Sequence, residues 1–216
     1  MLSMILLNPL LVTAGKWVNK QMEIEKTQIL MADGERALEL IGRAIRMAGY
    51  TNIHQIQIPS NSHKNHARAA KRVTKIHNHQ FIHIEKNAGY RGSDHLQIKH
   101  GISGVGDLDC IGNVLTQERT RHDLALQGFR VEYPAGLPKG TKTNGGSLIC
   151  QSLDRQGRLQ HSTLMNGVQH MQVEELKPIQ ANHSGTQRAF RIRLYMTDGH
   201  GIQLELQRTF TTRNLL

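Results

Sequence analysis

The chain has 216 residues, a formal charge of +10 and few aromatics, so it makes one moderate domain plus an extension, with a mostly aliphatic core. The charge is uneven: residues 1–50 carry six Lys/Arg against five Asp/Glu, a net of +1, which leaves +9 on the remainder. Two cysteines are too few for a structural zinc site, and a basic remainder suits a polyanionic partner less well than it suits a solvated surface.

From Met1 to Gly15 the chain is almost wholly apolar. At about 15 residues this run is shorter than the roughly 20 that cross a bilayer. It lacks the basic leader and small-residue cleavage site of a secretory signal, and Pro9 marks a kink. It reads as the second half of a membrane segment. From Leu30 to Ala48 the apolar positions Leu30, Ala37, Leu38, Ile41, Ile45 and Ala48 share one helical face, and Gly49 suits the stop. The expected organisation is a long helix over residues 1–50 and a β-rich head over 51–216. Within the helix, residues 1–18 form the apolar part and 19–50 the amphipathic part. Such a helix extends roughly 70 Å, more than a head of this size can cover. Its first half, with Leu2, Ile5, Leu6, Pro9, Leu10, Leu11 and Val12, therefore enters a membrane or a bundle of like helices. Leu38, Ile41, Ile45 and Ala48 hold the sheet.

Residues 51–80 are polar and histidine-rich, with no acid between Thr51 and Ile84, and read as surface connection with a short helix at His66–Val73. Lys64, Arg68, Lys71, Arg72 and Lys75 form a candidate polyanion patch there, to which Arg188, Arg191 and Arg193 would add. No aromatic is interleaved before Phe81, so base stacking has little support.

Strands are expected at Phe81–Ile84, Leu96–Lys99, Phe129–Tyr133, Ser147–Leu153 and Val168–Leu176. The clearest pair is last. Phe190, Ile192, Leu194 and Met196 alternate with arginines, Asp198–Gly201 turns, and Ile202, Leu204 and Leu206 return. Glycines mark a loop around Cys110 and another before Cys150. These cysteines suit one disulfide in an oxidising compartment, or two buried thiols in the cytosol.

No catalytic set stands out. His77, His79, His83, His95 and His100 tempt a transition-metal reading, but no spaced carboxylate or cysteine completes it, so they read as surface or connection histidines. Neither a metal nor a cofactor is expected, and the chain does not read as an enzyme.

The segment Arg36–Tyr50 resembles the helix end of the PilW-class minor pilins of type IV pili. Gly92-Ser93-Asp94-His95-Leu96 is similar to that family's strand entry, and Asp109–Asn113 and Leu148–Cys150 to its two cysteine segments. Asn166–Val173 and Phe210–Asn214 resemble its later stretches, in the same order. The resemblance implies an α+β, type IV pilin-like fold, a long N-terminal α-helix packed on an antiparallel β-sheet. It implies a non-enzymatic subunit in the complex that primes pilus assembly at the tip. Its partners would be other minor pilins, the major pilin and a tip adhesin. Its setting would be the bacterial inner membrane (single pass, head in the periplasm) and then the cell-surface pilus. The leader, cleavage junction and early glutamate of such precursors are not present ahead of Met1, so that processing is expected of a longer form. Three other readings remain: a DNA-uptake minor pilin, a type II secretion pseudopilin, and a soluble nucleic-acid-binding protein.

Overall fold

A computed structural model describes residues 2–50, 81–104, 106–121, 123–138, 141, 143–176 and 187–213, with side chains in the first helix described from Val12 onward. Helix α1 runs from Leu2 to Met47 through Pro9. Gly49 ends it at φ +71°, a left-handed conformation that costs glycine little, and donates its N–H to Lys99 O.

Among the described residues seven strands follow: β1 (Ile82–Glu85), β2 (His95–His100), β3 (Ala125–Glu132), β4 (Gly146–Leu153), β5 (Leu159–Leu176), β6 (Ala189–Thr197) and β7 (Gln203–Thr211). Each is antiparallel to the next, in spatial order β1 to β7. The strands form one curled sheet, a half-barrel, so the described head is mostly β. This corrects the pilin-like α+β fold expected above, a helix on a smaller sheet. The sheet grows because every successive strand finds its chain neighbour, and because β5 is twice the length expected. Register shifts between β4 and β5, another opposite Val168–His170, and Gly167 at φ +79° bend β5 midway.

The concave face holds the second half of α1. Leu38, Ile41, Ala44, Ile45 and Ala48 are fully buried, with Leu96, Ile98, Phe129, Val131, Leu148, Val168, Met171, Ile192 and Leu194 around them. These four expected contact residues, Leu38, Ile41, Ile45 and Ala48, thus face the sheet. Two helix glycines set how close α1 lies. A Cβ on Gly34 would stand 2.7 Å from Leu206 Cδ1 and Met196 Cε, and one on Gly42 would overlap the Phe210 ring. Replacing Gly42 with Leu should cost about 1–3 kcal/mol through overpacking, although leucine favours a helix by close to 1 kcal/mol over glycine. Thermal melting checks this. Adding Phe210→Ala should restore part of the loss.

On the outer flank, Arg208 pairs with Glu35 and, at 3.7 Å, with Glu39, while Arg46 reaches Glu39 at 2.6 Å and lies over the Phe210 ring. These largely solvated pairs add little to stability.

Candidate assembly surface

Beyond the sheet, the first half of α1 projects. From Val12 to Ile29 every residue but Thr27 is exposed. Among them are large apolar side chains: Trp17, 76% exposed, with Val12, Val18, Met22, Ile24 and Ile29, and Met31 beyond. They are not scattered. Trp17, Ile24 and Met31 recur every seven residues and form one line. Val18, Met22 and Ile29 form a second. Seven and fourteen residues past Met31 the first line runs on into the buried Leu38 and Ile45, while the second line stands about 140° away from it at about 100° per residue. The face that serves the head thus extends beyond it, and one further line, Val18–Met22–Ile29, is left for neighbours.

Leu2, Ile5, Leu6, Pro9, Leu10 and Leu11 lie on the first turns of α1, and their side chains are outside the described residues. No helix among the described residues is long and apolar enough to cross a membrane.

The head is tied by a disulfide between Cys110 and Cys150, which pins the loop after β2 to the concave side of β4. Asp109, also buried, organises that loop by accepting from Ile111 N, Asn113 N and Ser152 Oγ.

Ser93 and Asp94 take a role that the sequence did not single out. The second half of β5 extends past the start of β4, so its inner edge lacks a strand partner. The backbone of Asp94 donates to Met171 O, Ser93 Oγ accepts from Met171 N, and the Asp94 carboxylate accepts from Val173 N at 2.8 Å. Asn87 N and Lys86 Nζ complete the carboxylate's shell, and Lys86 also donates to Val173 O. Two residues stand in for a strand.

His95 and His100 are buried, which corrects their reading as surface histidines. His95 bridges Glu85 and Gln151, and the hydrogen bond from His95 holds the Glu85 carboxyl below its ordinary value. His100 sits between Gly101 O and the Gln127 side chain, and burial pushes its imidazole below the usual histidine range. Unfolded, His100 takes a proton near pH 6.5; folded, it resists until lower pH. The unfolded state therefore binds more protons just below that point, and stability falls as pH falls through it. Melting from pH 7.5 to 5.5 should show a steeper loss in the parent than in His100→Gln.

The candidate polyanion residues Lys64, Arg68, Lys71, Arg72 and Lys75 lie outside the described residues, as do His77, His79 and the segment His66–Val73. The three arginines expected to join them are otherwise engaged. Arg188 makes two bonds to Glu175, Arg191 pairs with Glu174 at 3.2 Å, and Arg193 bonds Gln172, Gln207 and Glu174. Among the described residues no group of three or more His, Cys, Asp or Glu is placed to hold a metal.

No family model, curated protein or solved structure matches this chain. What the surface can do therefore follows from its chemistry. A helix with two free apolar lines buries them by packing against other helices.

Proposed function

We propose that the chain is a structural subunit of a type IV pilus, a minor pilin that joins other minor pilins and the major pilin through the first half of α1. The observation that carries this is the projecting helix with its Trp17–Ile24–Met31 and Val18–Met22–Ile29 lines. A subunit inside a filament meets several neighbours, and a head-facing stripe that continues past the head, with a second apolar line on another side, suits that arrangement. The ordered run of PilW-like segments, from Arg36–Tyr50 to Phe210–Asn214, adds to it. The reading rests on helix and segments; the curled sheet plays no part in it. Burying these six side chains would supply about 1.5–3 kcal/mol each before the entropic cost of association.

The test is complementation of a strain that lacks the gene. Chains carrying Val18→Glu with Ile29→Glu should accumulate and fold but fail to restore surface pili or cross-link to other pilins. Normal piliation in the deletion strain, or undiminished cross-linking of the double variant, would overturn the proposal.

A further inference from the structure

Strand β5 is longer than either neighbour, and each half is left open on one side. Residues 159–168 pair with β4, while β6 joins only from Val168 onward. The gap beside the second half is filled by Ser93 and Asp94. The gap beside Leu159–Gly167 is not: no described residue offers that edge a backbone partner. Natural sheets rarely leave an internal edge uncovered, because its N–H and C=O groups invite another chain.

A cleft of about 330 Å³ adjoins this stretch, lined by Arg36, Leu40 and Arg43 of α1, the disulfide loop at 108–112, and Ser162–Leu164 of β5. Arg36 and Arg43 are both exposed and lie seven residues apart on the same helical face. Neither has a carboxylate within ion-pair range among the described residues, whereas Arg46, Arg188, Arg191 and Arg208 all do. Of the two acids on the lining, Asp109 is turned inward to Asn113 and Ser152, leaving Asp33 as the exposed one. Among the described residues the cleft therefore offers two cations with no carboxylate partner beside a strand edge with no backbone partner.

We infer that this edge and cleft accept an extended acidic segment of a partner protein, added as a further strand beside Leu159–Gly167 with carboxylates on Arg36 and Arg43. Main-chain bonds supply affinity and alternate side chains supply selection. The two arginines are separated by about 10.5 Å of helical rise, which lies between the about 6.6 Å and about 13.2 Å that separate same-face carboxylates two and four residues apart on a strand, within reach of the long guanidinium side chains. Bidentate guanidinium–carboxylate pairs would fix the register.

The experiment is fluorescence anisotropy on the full chain in mild detergent, with a labelled dodecapeptide of alternating Glu and Val as probe. Saturable binding is expected, absent for the Lys/Val counterpart. The double variant Arg36→Glu, Arg43→Glu should weaken it at least tenfold without changing the melting temperature, and so should N-methylation of alternate peptide amides. No saturable binding overturns the proposal, as does binding that either change leaves within twofold. Self-association abolished by the same double variant would put a second copy in the cleft and overturn the acidic partner. The lines at Trp17–Met31 lie outside this site, so failure here leaves the assembly reading untouched.

Discussion

Asp94→Ala is expected to cost about 3–5 kcal/mol, because the change strips a buried edge of its acceptor. Val173 is fully buried, and its N–H has the Asp94 carboxylate as its partner at 2.8 Å. Asn87 N and the Lys86 ammonium lose the same carboxylate. Bonds to a charged acceptor contribute about 1.5–3 kcal/mol each, and an orphaned buried donor adds its desolvation cost. For a chain of this size the melting temperature should fall on the order of 10 °C. Asp94→Asn keeps an oxygen at the same place and should lose clearly less. A melting temperature within 2 °C of the parent in Asp94→Ala would show that water replaces the carboxylate without loss.

The second large effect is the disulfide. Cys110 and Cys150 are separated by 40 residues, and closing a loop of that length removes about 4 kcal/mol of denatured-state entropy. Cys110→Ala with Cys150→Ala should lower the melting temperature by roughly 8–16 °C at about 2–4 °C per kcal/mol. The loop at 108–112 should loosen with it, since the bond from Ser152 to Asp109 is then its remaining tie to β4 among the described side chains. Calorimetry with and without reductant reads both. Two free thiols titrating without reductant would contradict the disulfide, and a melting temperature that reduction leaves unchanged would contradict its stabilising role.

What could be read in advance was whatever repeats locally. Apolar residues at helical spacing marked the buried face of α1 from Leu30 to Ala48, and strict alternation marked β6. The first half of β5 was invisible for the opposite reason. Leu159, His161 and Thr163 are exposed, and Gln160, Ser162 and Leu164 only half-buried, so no apolar period forms. Backbone pairing to β4 makes it a strand, and that is not a local property. Without it the sheet looked smaller and the fold more pilin-like than it is. The buried histidines hid similarly, because Glu85, Gln151 and Gln127 reach them from other strands. Gly34 and Gly42 did carry a signal: glycine inside an amphipathic helix costs enough to need a packing reason. The alternation that revealed β6 also placed Arg191 and Arg193 on the wet face, but not their pairing with Glu174, which depends on register with β5.

The account depends on α1 having two different halves. Amide hydrogen exchange on the full, detergent-dispersed chain measures this directly, residue by residue. Amides of 37–48 should exchange as slowly as those of β2 and β6, while those of 16–29 exchange far faster, and the latter should slow on incorporation into pili. Equal protection of 16–29 and 37–48 in the dispersed chain would contradict it, since the front half would already be covered by its own head.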